Sequence, residues 1–154
     1  MIDTARRHLP EILEDVMRVL LIGQDAATAA SVKMMLIREN FICDTVDFSE
    51  GGVEVGKLHD YDVILLDLSV PNINGYGVLR RLRRGRLRTP VLIFLGNAEL
   101  DHRIKDLGFS DEDFLTKPLD HGELIARIQA IHHDSQAPGA LGKWNVAAIE
   151  IGGQ

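Results

Sequence analysis

The chain contains a single cysteine, one tryptophan and two tyrosines among its 154 residues, and no long apolar run. With only Cys43 there is no internal disulfide framework, and nothing beside that residue suggests nucleophile chemistry, so it reads as a small core thiol on a strand. The longest apolar stretches, Val63 to Leu66 and Val91 to Leu95, fall far short of the roughly 20 residues a membrane helix needs. The N-terminus lacks the order of charge, apolar run and small residues that marks a signal peptide, and a cytoplasmic location is expected. Positive charge is also in deficit. Against 23 acidic side chains stand 17 basic ones, a formal net charge of −6 that sets up no uniform field to attract nucleic acid. Hydrophobic residues at 45% and charged residues at 26% give no compositional sign of disorder, and the length suffices for one domain with a buried core.

What is present is an alternation of two periods. Short apolar runs rich in β-branched residues occur at Arg18 to Ile22, Phe41 to Thr45, Val63 to Leu66, Val91 to Leu95 and, more weakly, Asp113 to Thr116. Between them, Ala26 to Glu39, Ser49 to Leu58, Tyr76 to Arg84, Glu99 to Leu107 and Asp120 to His133 carry apolar residues at three-and-four spacing. Such alternation predicts βαβ units, hence a doubly wound α/β fold with a five-stranded parallel sheet and five helices. Pro71, Gly75, Gly85, Pro90, Gly96 and Gly108 fall between the periodic segments, where turns belong.

The domain is expected over residues 17–133. Upstream, Leu9, Ile12, Leu13 and Val16 have the spacing of one short amphipathic helix interrupted at its start by Pro10. This piece is either an appended helix or the product of an alternative start, since Met17 opens the first strand. Residues 134–142 read as a linker, and 143–154 as a strand-like tail centred on Trp144 to Ile151.

In open parallel sheets, ligands sit outside the carboxyl ends of the strands. Those positions hold Asp25, Asp67, Gly96 and Lys117. Taken singly, each residue is an ordinary turn or cap. Together, two carboxylates and an ammonium at one sheet edge suit a hard divalent cation and a phosphoryl group transferred to an aspartate.

These residues carry a resemblance. Leu20-Leu21-Ile22 followed by Asp25, then Leu65-Leu66-Asp67-Leu68 with Pro71 and Gly75, then Thr116-Lys117-Pro118, is similar to the receiver domain of two-component response regulators over about residues 17–133. Asp25 to Ala29, Tyr61 to Leu68 and Glu123 to Ile128 look most like the OmpR/PhoB class and its cell-cycle regulators. The resemblance implies a CheY-like, flavodoxin-like sheet of order 2-1-3-4-5 and a signalling role in a phosphorelay, without enzymatic turnover. It further implies Asp67 as phosphoacceptor, with Mg²⁺ held by Asp25, Asp67 and the backbone carbonyl of Ser69, and Lys117 pairing with the phosphoryl group. A histidine kinase or phosphotransferase is the implied donor.

Departures from the family pattern modify that picture. Where two acidic residues usually follow the first strand, this chain has Gln24-Asp25, preceded by Gly23 where a further acid is common. A unit charge about 5 Å away is worth roughly 3 kcal/mol at an effective dielectric near 20, so weakened Mg²⁺ binding is expected. The lost charge also relieves repulsion in the empty pocket. Leu95 occupies the place of the family's hydroxyl residue and cannot bond a phosphoryl oxygen. The aromatic switch partner is Phe114, which has no phenolic group. The expectation is a degenerate, pseudo-receiver-like pocket in which phosphorylation is weakly coupled to conformation. The alternative is an interaction module independent of phosphorylation.

The OmpR/PhoB resemblance implies a homodimer through the fourth helix, fifth strand and fifth helix. Arg103 with Glu123 and Asp113 with Arg127 stand at its charge pairs, while Gly108 and Gln129 replace a third. As residues alone these are equally ordinary solvated charges. Arg80, Arg81, Arg83, Arg84, Arg86 and Arg88 form a basic run at the end of the third predicted helix, read as a solvated face because cations favour a helix C-terminus. His132-His133 face apart as neighbours on a helix and lack a ligand cluster. Trp144 to Gln154 resembles the strands that open a winged-helix DNA-binding domain, so the chain is expected to be either part of a longer transcription regulator or one that lost its output domain, and to contact DNA only through such a domain. A haloacid-dehalogenase phosphatase would need a second aspartate at Ser69. A dinucleotide site would need glycine spacing that Gly23-Gln24-Asp25-Ala26 lacks.

Overall fold

Runs of Val, Ile and Leu that are apolar at every position, rather than at alternate ones, have to be covered on both faces, and this governs the architecture. The computed structural model describes residues 16–48, 58, 60–69, 73–84, 88–96 and 113–136. In chain order the elements are β1 (Arg18–Ile22), α1 (Ala26–Arg38), β2 (Ile42–Val46), β3 (Val63–Asp67), α2 (Ile73–Arg84), β4 (Val91–Leu95), β5 (Phe114–Thr116) and α3 (His121–Gln136). The strands form one five-stranded sheet of order β2-β1-β3-β4-β5. All pairings are parallel, with Val19 opposite Val63, Leu66 opposite Ile93 and Ile93 opposite Phe114.

Alternation along the strands divides the core in two. Leu20, Ile22, Ile64, Leu66 and Ile93 face one way and meet Val78, Leu79 and Leu82 of α2. Val19, Leu21, Val63, Leu65, Leu92 and Phe94 face the other way and meet Val32 and Leu36 of α1 and Leu124, Ile125 and Ile128 of α3. Every residue of β3 and β4 is buried. Each such aliphatic side chain contributes roughly 1.5–3 kcal/mol on burial, which holds the central strands in register. Cys43 is buried in the second cluster, and burial pushes its thiol up to about 11, as expected of a core thiol with no nucleophilic role.

Several boundaries differ from the periodicity. β2 starts at Ile42 rather than Phe41, because the Phe41 amide still donates to Leu36 O at 2.9 Å and Asn40, at φ 63°, turns the chain out of α1. α2 starts at Ile73, so Gly75 is inside a helix and not in a turn. The reason is steric: a Cβ at Gly75 would lie 2.6 Å from Leu68 Cδ2 and 3.2 Å from Phe48 Cζ. β5 begins at Phe114, one residue after the expected Asp113. α3 begins where Asp120 Oδ2 accepts the Glu123 amide at 2.9 Å and continues to Gln136, beyond His133. The helices expected at 49–58 and 99–107, apart from the buried Leu58, lie outside the described residues, as do 1–15 and 137–154. Among the described residues no helix is long and apolar enough to cross a membrane.

Candidate functional site

The carboxyl ends of β1, β3 and β5 deliver three charged side chains to one point. β1 is extended past Ile22 by the Gly23 amide, which donates to Val46 O at 3.0 Å, and the chain then turns into α1. Asp25 caps that helix, its Oδ1 accepting from the Ala27 and Thr28 amides at 3.1 and 3.4 Å. Asp67 is the last residue of β3 and is 5% exposed. Its Oδ1 accepts the Ser69 amide at 3.0 Å. Lys117 follows β5, and its amide donates to Leu95 O at 2.8 Å, continuing the ladder one residue beyond the strand.

The Lys117 ammonium joins the two carboxylates. Its Nζ lies 3.0 Å from Asp67 Oδ2 and 3.2 Å from Asp25 Oδ2, and it also donates to the Thr28 hydroxyl. That hydroxyl donates in turn to Asp25 Oδ2 at 2.7 Å. The Thr28 hydroxyl, with Lys117 second, lowers the Asp25 carboxyl from 3.8 to about 2. Beside the triad lies a cleft of about 450 Å³ whose lining includes Gly23, Gln24, Asp25, Thr45, Asp47 and Asp67. The arrangement places a nearly buried aspartate next to a fixed cation and an open volume, the elements needed for a carboxylate to accept an electrophilic group.

Gln24 is exposed on the cleft rim. Ser69 is half-buried, with its carbonyl facing Gly96, where a Cβ would come within 2.9 Å of the oxygen. Leu95 and Phe114 are 7% and 6% exposed and belong to one apolar cluster with Leu68. Away from the triad, Asp113 is buried, Glu123 and Gln129 are exposed, and Arg127 is half-buried with Nη1 donating to Phe114 O at 3.4 Å. Arg103 and Gly108 lie outside the described residues, as do Arg86 and the side chain of Arg83. Arg80, Arg84 and Arg88 are exposed, Arg81 is half-buried, and His132 is half-buried beside an exposed His133.

Two contributors were not visible in the residue pattern. Thr28 has no signature of its own, although an aspartate three residues before it at a helix start is a capping arrangement that brings the two side chains together. Gly23 reads in the sequence only as a missing acid, whereas a Cβ there would stand 2.9 Å from Asp67 Cβ. Its lack of a side chain lets the ends of β1 and β3 close up.

The family model for the response regulator receiver domain matches residues 19–129. The cell cycle response regulator CtrA of Brucella ovis is 50% identical over 115 residues, which cover 75% of this chain and 50% of that protein. The chain thus spans about half the length of the curated relatives it matches. Among solved structures, the receiver domain of Francisella response regulator 1452 is 26% identical with a TM-score of 0.63, covering 78% of this chain and 99% of that one. The receiver domain of the Pseudomonas aeruginosa sensor histidine kinase PA1611, with a magnesium ion coordinated in its active site cleft, is 26% identical with a TM-score of 0.61, covering 77% and 98%.

Proposed function

Because the chain belongs to the response regulator receiver domain family, we propose that Asp67 is its phosphoryl acceptor and that it passes a signal by protein contact. The observation that carries this reading is the bridge from Lys117 Nζ to Asp67 and Asp25 at the rim of the sheet. Asp67 is the nucleophile, and Lys117, anchored through its backbone to Leu95, sets a positive charge beside the oxygen that would bond phosphorus. Asp25 and Asp67, with the Ser69 carbonyl, offer hard oxygen ligands that suit Mg²⁺, a cation that keeps several waters. When bound, the ion supplies charge against the phosphoryl oxygens. Gln24 brings an uncharged amide to this rim, so the affinity is low.

The phosphoryl donor is a histidine kinase or phosphotransferase. The output is a symmetric dimer through the face that holds Glu123, Arg127 and Asp113, with Arg103 on the preceding segment. The half-length match to CtrA and the tail at 143–154 support a place in a transcription regulator, with a receiver from 17 to the end of α3 at Gln136, a linker from there to 142 and 1–16 as an appended segment. Any DNA contact would be made through the output domain of such a regulator.

The switch is impaired, and one observation favours a second reading in which it is absent. Leu95 and Phe114 are both buried in one apolar cluster, with no hydroxyl at either position to follow a phosphoryl oxygen. A phosphorylation-independent interaction module would be built this way. The test is incubation with acetyl phosphate and Mg²⁺, followed by intact mass, with beryllofluoride added in parallel and amide shifts recorded. Addition of one phosphoryl group that Asp67→Asn abolishes, with shifts confined to the pocket, is the expected result. No mass change and no shifts would remove the acceptor role and leave the interaction module.

A further inference from the structure

A surface helix normally turns a polar side to solvent, and one that is apolar all round is covered on both sides. α1 departs from the normal pattern. Its inner side places Val32 and Leu36 in the core. On the opposite side Ala27, Ala30, Met34 and Ile37 follow one another at spacings of three, four and three, and all four are exposed. Met34 is 58% and Ile37 55% exposed, the two largest values among the exposed large hydrophobics. Ile42, the third of that group, points to the other face of the sheet, since its neighbour Cys43 packs with α1 and α3. Among the described residues the stripe is therefore a feature of α1 alone. Its charged residues are Lys33 and Arg38, with no acid between Ala26 and Arg38.

The chain enters the domain beside this stripe. Met17, immediately before β1, packs with the α1 and α3 cluster, and its carbonyl accepts the Ile42 amide at 2.9 Å. Ile42 directly follows Phe41, whose amide is bonded to Leu36 in the last turn of α1. The N-terminal segment therefore begins at the end of α1 that carries Ile37. In that segment Leu9, Ile12 and Leu13 are apolar at helical spacing, and Glu11, Glu14 and Asp15 are acidic. Its 15 residues reach up to about 50 Å when extended, against about 15 Å from Ala27 to Ile37 along the helix, so length does not limit contact.

We propose that the N-terminal segment of this chain docks on the outward apolar stripe of α1, placing Leu9, Ile12 and Leu13 against Ala30, Met34 and Ile37, with Glu11, Glu14 and Asp15 near Lys33 and Arg38. Apolar contact supplies the attraction and the opposed charges set the orientation.

The experiment uses the whole 154-residue chain with Cys43→Ala and Thr4→Cys, carrying a nitroxide label at position 4. Docking predicts loss of the amide peaks of Ala30, Met34 and Ile37, recovery of those peaks on reduction of the label, and no change on tenfold dilution. Adding Ile12→Asp and Leu13→Asp, which leaves every described core residue in place, is expected to restore the peaks. Retention of the peaks in the labelled parent overturns the proposal, as does loss that persists in the Asp variant. Loss that disappears on dilution also overturns it and assigns the stripe to a second copy of the chain.

Discussion

Lys117 Nζ stands 3.0 Å from an Asp67 side chain that is only 4% exposed, so the ammonium is the principal compensation for a carboxylate with little access to water. Lys117→Met is expected to destabilise the domain by about 2 kcal/mol, below the 3–5 kcal/mol typical of a fully buried pair because Lys117 is itself 20% exposed. Adding Asp67→Asn should recover most of that loss. Urea unfolding of the two single variants and the double variant measures the coupling; additive losses would contradict it.

Thr28 adds a hydroxyl bridge between Asp25 and Lys117 beside their direct ion pair. Its bond to Asp25 is the largest cause of that carboxyl's fall to about 2, so Thr28→Val should move the titration back toward 3.8 while Thr28→Ser should not. The sign follows from linkage. A carboxyl depressed in the folded state contributes stability that is complete above the unfolded value of 3.8 and is lost as pH falls through about 2. In Thr28→Val that acid loss should shrink, and a carbon-detected NMR titration of Asp25 reads the change directly.

Leu95 at the end of β4 and Phe114 at the start of β5 are buried in the same apolar cluster. Leu95→Thr should cost about 2–3 kcal/mol, from lost apolar volume and a hydroxyl placed among carbon atoms. If the missing hydroxyl is what limits switching, the same variant should spread beryllofluoride-induced amide shifts from the pocket to Phe114 and β5. Shifts that stay confined would place the limitation elsewhere.

Gly23 allows the chain to pass within contact of Asp67 Cβ. Gly23→Ala is expected to destabilise by about 1–3 kcal/mol, as overpacking does, and to slow labelling of Asp67 by acetyl phosphate. Thermal unfolding and the rate of mass gain are the two measurements; an unchanged rate would show that the aspartate accommodates a methyl group.

The sheet was legible because Val63 to Leu66 of β3 and all of β4 are apolar at every position, a pattern that two-sided burial explains. Asp25, Asp67 and Lys117 were legible because each stands at the carboxyl end of an apolar run, in β1, β3 and β5, directly or after a short turn. What sequence periodicity could not supply was anything set by close approach between distant segments. Gly75 looks like a turn residue until Leu68 and Phe48 are seen against it, and Phe41 looks like strand until its amide is found bonded to Leu36. Asp113 illustrates a third kind of gap. It is charged and precedes a strand, which suggests a surface position, yet it is 4% exposed, because burial depends on neighbours that spacing does not encode.

Asp67 ends a strand that is hydrogen-bonded on one side to β1 and on the other to β4, in the middle of five. Its main chain is thereby clamped, and the slowest amide exchange in the molecule should fall along Ile64 to Leu66. A group attached at Asp67 then has a fixed footing. Whatever rearranges in response has to do so in the loops above the sheet, which makes the acceptor a stationary reference for motion elsewhere.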